Sequence, residues 1–120
     1  MNLTKKTDEL AVAVKETNQY KNYKRAKENF EKNPESRNLL NNFKKAKSEL
    51  AILKDGGFDG VEEQQKKVDK LSNRVLNNEE IQEYLKTKKN YQQLVEQIAA
   101  ALSHKIDFPV NMPKKTSCCG

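Results

Sequence analysis

Hydrophobic positions recur every three or four residues through four successive segments of this chain. In the first, about Thr4 to Glu31, Leu10, Val14, Thr17, Tyr20, Tyr23, Ala26 and Phe30 line one side. Such spacing predicts an amphipathic helix that buries one stripe. Thr4 or Thr7 can cap its start, and Asp8 and Glu9 suit the positive end of its dipole. Asn33-Pro34 ends this segment and opens the next, because asparagine is a good N-cap and proline a good first helical residue.

The second helix is expected from about Pro34 to Lys54. Leu39, Phe43, Ala46, Leu50 and Leu53 alternate steps of four and three, the seam of helices packed nearly parallel or antiparallel. Gly56-Gly57-Phe58-Asp59-Gly60 should reverse the chain, since glycine tolerates left-handed backbone angles. A third, highly charged helix is expected over Val61 to Leu76, with Val61, Val68 and Val75 one heptad apart and Leu71 between them. Asn77-Asn78 marks a break, and Glu79-Glu80 favours a new N-terminus. The fourth helix, about Glu79 to Lys105, carries Ile81, Tyr84, Lys88, Tyr91, Val95, Ile98 and Leu102, flanked by Leu85 and Leu94. Lys88 interrupts that seam; its stem can pack while its ammonium reaches solvent.

Beyond Ile106, Pro109 and Pro113 end helicity. Phe108, Val110 and Met112 alternate with other residues, then Lys114-Lys115-Thr116-Ser117 leads to Cys118-Cys119-Gly120. The expected architecture is an all-α antiparallel bundle of four to five helices, with long first and last helices and an extended C-terminal tail. Residues 1–106 form the helical domain and 107–120 the tail.

Composition sharpens this picture. The chain has 120 residues, a net charge of +6 and a hydrophobic fraction of 35%. Leu, Ile, Val and Phe make up only about a fifth of it, close to the composition at which chains stay disordered. Their strict periodicity argues for folding, and a core this thin gains from pairing with a second copy. Leu39, Phe43, Leu50, Leu53, Val95, Ile98 and Leu102 are the residues expected in the core or in subunit contacts. No signal peptide or membrane span is read, and the expected compartment is a reducing cytoplasm.

The candidate chemistry is sparse. No HExxH, P-loop, GxGxxG or GxSxG pattern occurs, so no enzyme is expected. His104 is the single histidine and reads as structural or incidental. The four tyrosines read as core residues whose hydroxyls reach the rim. Lysines such as Lys21, Lys24, Lys44, Lys66 and Lys86, with Arg25, supply a positive field that RNA phosphates would find attractive. Glutamates interleave with them, which favours a solvated surface. Cys118 and Cys119 are the only cysteines and the candidate metal ligands. An all-thiolate tetrahedral site or a cubane cluster needs four ligands, so this pair would have to share a metal with other chains.

The ordered series Leu10, Val14, Thr17, Tyr20, Tyr23 and Ala26 continues with Asn33-Pro34-Glu35, Leu40, Phe43, Lys47 and Glu49. Leu71, Asn77, Ile81, Tyr84, Tyr91, Leu94 and Ile98 follow. Over roughly Asp8 to Pro109 this series resembles the YlbF/YmcA family of small helical bacterial regulators. The resemblance implies an all-α homo-oligomer, a dimer or tetramer, that also binds family paralogues. It implies a regulatory role in competence, sporulation and biofilm formation, through a complex linked to messenger RNA maturation by an endoribonuclease. It further implies an iron–sulfur cluster shared within such a complex. Residue by residue, only Cys118 and Cys119 can inherit the ligand role. The well-known tail of the YlbF branch is longer and has spaced cysteines, whereas this one ends in an adjacent pair.

Overall fold

The computed structural model describes residues 2–107. Five helices follow one another: α1 (Leu3–Lys15), α2 (Asn18–Lys32), α3 (Pro34–Gly56), α4 (Val61–Leu76) and α5 (Glu79–Ile106). No strand occurs among the described residues.

The first periodic segment is two helices, not one. Thr17 sits between them in extended backbone, at φ −72° and ψ 151°. Its hydroxyl accepts from the Tyr20 amide at 3.2 Å and donates to the Val14 carbonyl at 2.7 Å. A threonine oxygen satisfying an orphan amide is the chemistry of an N-cap, and it competes successfully with helix continuation here. Apolar spacing runs straight through Thr17, so periodicity alone misses the break. The start of α1 also differs from expectation. Asn2 caps it, accepting from the Lys5 amide at 3.2 Å. Thr7 instead turns its hydroxyl back to the Leu3 carbonyl at 2.8 Å.

The remaining boundaries follow their local signals. The Asn33 side-chain Oδ1 accepts from the amides of Glu35 and Ser36 at 3.0 and 3.4 Å, with Pro34 opening α3. At the far end Gly57 adopts φ 65°, and Phe58 N–H reaches the Leu53 carbonyl at 3.0 Å. This is a left-handed helix stop that a Cβ would strain. Asn78 caps α5, accepting from the Ile81 amide at 2.9 Å.

Two antiparallel pairs organise the chain. α2 packs along α5, and α3 along α4. The pairs meet where the α2–α3 and α4–α5 turns lie side by side. There the Asn33 side-chain amide donates to Glu80 Oε1 at 2.9 Å, and that of Asn78 to Ser36 Oγ at 3.1 Å. Around this junction and along α3–α4 sits the core: Phe30, Leu39, Leu40, Phe43, Ala46, Leu50, Val68, Val75 and Ile81. Ile81 is completely buried and Leu40 nearly so. Ser36 is also buried, and its hydroxyl is satisfied by Asn78. The result is a flat, elongated body of 61 × 33 × 18 Å. Its radius of gyration, 18.8 Å, far exceeds the roughly 13 Å of a compact domain of this length.

Asn33 serves two partners at once, so it offers a direct check. Asn33→Ala should lower stability by about 0.5–2 kcal/mol, the range for losing a helix cap. Urea unfolding measures it, with the exposed Asn29→Ala as a control expected to change little.

Candidate protein-interaction surfaces

Aromatic rings join α2 to α5. Tyr20 meets Tyr91 edge-on at 5.6 Å between ring centres. Tyr23 stacks on Tyr91 at 5.2 Å and lies 6.1 Å from Tyr84. Phe30 stacks on Tyr84 at 4.5 Å with the planes 2° apart. The rings thus alternate between the helices as Tyr20, Tyr91, Tyr23, Tyr84 and Phe30. Three-residue and seven-residue spacings on two antiparallel helices place them in one row. Aromatic contacts of this kind add to the stabilisation from buried area, so the row fixes the register of α2 on α5.

Lysines border the row. Lys88 Nζ lies 5.7 Å from the Tyr84 ring centre and Lys27 Nζ 6.0 Å from that of Tyr23. Both distances fall within cation–π reach. Lys88 is thus half-buried in the seam, with its ammonium over the Tyr84 ring where the sequence suggested that it would reach solvent. A cleft of about 310 Å³ opens beside Tyr20, Tyr23 and Tyr91, rimmed by Lys24, Lys27, Glu28 and Glu31. Opposite charges alternate around this rim, so no single ligand charge is favoured.

Burial, reinforced by Tyr23 and then Glu31, raises the Tyr84 pKa above its ordinary 10.0. The unfolded chain therefore gives up this phenolic proton at lower pH than the folded one. The contribution is fully present below about pH 10 and is lost as pH rises through the folded value.

The two ends of the row are different. Among the described residues α1 meets α2 alone and buries no residue. Leu3 is 76% exposed, and Leu10 and Val12 are about half exposed. Beyond Tyr91, α5 continues to Ile106 and does not touch α1. Leu94, Val95, Ile98 and Ala99 are only partly buried, and Leu102 and Ile106 are exposed. Among the described residues α1 and α5 do not touch, and the exposed apolar side chains lie mostly on α1 and at the end of α5.

The seven residues read as core or contact separate accordingly. Leu39, Phe43 and Leu50 lie in the core. Leu53, Val95 and Ile98 are half-buried, and Leu102 is exposed. Sequence reading passed over Leu40 and Ser36 as core residues. Both fall beside the heptad seam, and α3 buries them because α2, α4 and α5 all touch it. The Leu39-Leu40 pair, which widens the apolar stripe, was the available signal. Cys118 and Cys119 lie outside the described residues, as does the whole stretch 108–120. Among the described residues no three His, Cys, Asp or Glu side chains cluster closely enough to hold a metal ion. No described helix is long and apolar enough to cross a membrane.

The fold is an elongated all-α bundle of two antiparallel helix pairs, one of them held in register by a row of rings. A family model described as control of competence regulator ComK, YlbF/YmcA, matches residues 3–107. The chain belongs to that family. It is 29% identical to a UPF0342 protein of Caldicellulosiruptor bescii over 100 residues, covering 83% of this chain and 84% of the relative. A UPF0342 protein of Lactobacillus gasseri is 23% identical over 106 residues, covering 88% and 91%. No solved structure matches the chain.

The tyrosine row generates an alkaline test. From about pH 9 to pH 11 the urea midpoint of Tyr84→Phe should fall less than that of the unmodified protein. Parallel curves would remove Tyr84 as a source of alkaline destabilisation.

Proposed function

We propose that the chain is a non-enzymatic regulatory adaptor of the cytoplasm. It self-associates and presents helix faces to protein partners, family paralogues among them. The observation that carries this reading is the pair of open apolar faces on α1 and α5 in a member of a family linked to control of a competence regulator. Apolar faces left open on a soluble helical chain are the usual mark of a contact surface. The partners expected from the family resemblance include a complex tied to an endoribonuclease, with effects on competence, sporulation, biofilm formation and messenger RNA processing.

The tail supports a further component of the same reading. Two thiolates per chain are half of a four-thiolate set, so Cys118 and Cys119 would hold an iron–sulfur cluster only when chains combine. Anaerobic purification of the chain co-expressed with a family paralogue tests both parts. A mixed complex is expected, with iron that disappears when Cys118 and Cys119 are both changed to serine. Leu102→Asp should lower recovery of the paralogue by roughly tenfold, the effect of a charge in a contact centre. Two chains that purify apart would contradict the adaptor reading.

A second reading rests on the net charge of +6. Direct RNA contact through the lysines would show as salt-dependent retention of RNA by the purified protein. The adaptor reading expects no retention even at low salt.

A further inference from the structure

α3 has 23 residues, so it carries the turn that follows it roughly 35 Å from the junction at Asn33. Phe58 sits in this turn and keeps 59% of its surface exposed. Its backbone is fixed. Phe58 N–H donates to the Leu53 carbonyl at 3.0 Å and Gly57 N–H to that of Lys54 at 3.4 Å, the paired bonds of a Schellman helix stop. Its ring is placed as well, because it lies against Gly56, where a Cβ would overlap ring atoms Cε2 and Cδ2. Gly56 is the last residue of α3 and needs no left-handed angle. Alanine would suit the helix better, so what glycine provides there is room for the ring. In such a stop the residue after the glycine commonly packs back onto the helix. Here that packing leaves on the order of 100 Å² of the aromatic side chain in water.

The charge around Phe58 is opposite to that of the chain. Residues 55–65 hold four carboxylates, Asp55, Asp59, Glu62 and Glu63, and no basic residue, in a protein of net charge +6. All four are exposed. Lys54, Lys66 and Lys67 border the stretch, yet among the described residues no ion pair joins them to these carboxylates. Local helix energetics explain only half of the set. Glu62 and Glu63 suit the first turn of α4. Asp55 lies in the last turn of α3, where the helix dipole disfavours a negative charge, and Asp59 lies in neither helix.

From this we propose that the α3–α4 turn docks a different protein, with Phe58 entering an apolar slot whose rim carries lysine or arginine opposite Asp55, Asp59, Glu62 and Glu63. It rests on the reading that the chain works through protein contact, and it names a surface apart from α1 and α5 and the chemistry of the partner that fits it. Complementary charge steers such a partner to the turn and sets its orientation there. A ring already held in place loses little freedom on binding. An aromatic side chain in a desolvated slot is the usual centre of a protein contact, with polar groups around it. Two of these turns meeting would set like charges against each other, so the turn is not built to pair with its own copy. The same carboxylates repel the phosphates of RNA.

Photocrosslinking of the full-length protein, in the cells that make it, tests the docking. A photoreactive phenylalanine analogue replaces Phe58 in one version. In a second it replaces Leu76, which is 63% exposed at the other end of α4. The expected adduct joins position 58 to one other protein, through a segment that carries lysine or arginine, and is roughly tenfold more abundant than from position 76. That partner, once purified, should bind Phe58→Ala roughly tenfold more weakly than the unmodified chain. Asp55→Asn with Asp59→Asn should weaken binding about fivefold at low salt and less at high salt. Gly56→Ala should weaken binding about fivefold while the urea midpoint does not fall, which a merely structural contact between Gly56 and Phe58 would not produce. Four results would each overturn the proposal: no adduct at position 58, equal adducts from 58 and 76, an adduct mainly with a second copy, or a contact segment without basic residues. So would binding that Phe58→Ala or Gly56→Ala leaves unchanged. If position 58 gives no adduct while the paralogue still co-purifies, the docking is wrong and the adaptor reading stands. If it gives none and the paralogue also purifies apart, both are wrong.

Discussion

Two interhelix turns lie side by side, with Asn33 donating to Glu80 and Asn78 to Ser36. Each asparagine spends its carbonyl oxygen on capping a helix and its amide on tying that cap to the opposite turn. Four helix ends are thereby held at one place, and the orphan amides that would otherwise be left there find partners. Everything else in the chain extends from this clamp. One antiparallel pair runs out as α3–α4, closed by the Gly57 reversal. The other runs out as α2–α5, held in register by alternating rings. Ile81 and Leu40, buried at the clamp, supply the apolar contact that makes its polar bonds worth keeping.

That arrangement distributes a small supply of apolar residues unevenly. The junction and the α3–α4 pair consume most of the large ones. α2 and α5 rely on tyrosines, which pack by their faces and keep their hydroxyls near solvent. α1 buries no residue, and Leu102 and Ile106 at the end of α5 stay exposed. The elongation of the molecule is the geometric expression of this shortage. The proposed contacts with partner proteins would use the apolar residues left exposed on α1 and at the end of α5.

Much of this was legible in the residues. The 3–4 spacing identified all-α architecture, and Asn33-Pro34, the glycine cluster and Asn77-Asn78 marked their boundaries because each signal is local chemistry. Thr17 was not legible as a break. It fits the apolar register from Val14 to Tyr20, and only its hydroxyl geometry reveals that it caps rather than continues. The tyrosines were readable as packing residues, but their order in a row depends on the antiparallel register of two helices far apart in sequence. Heptad periodicity could not divide Leu39, Phe43 and Leu50 from Leu102, since a seam looks the same whether it closes within a chain or outside it. Their burial separates them. The cysteine pair and the stretch that carries it lie outside the described residues, so the reading of Cys118 and Cys119 stands on ligand chemistry and the family resemblance.

The central claim is that α1 and the end of α5 are completed by other chains. Amide hydrogen exchange measured across a range of protein concentrations tests it most directly. Protection of residues 3–15 and 94–106 should rise together as concentration rises, while the α3–α4 amides stay equally protected throughout. Exchange in α1 that is fast and independent of concentration would mean that this helix has no partner in any copy, and the account would fail.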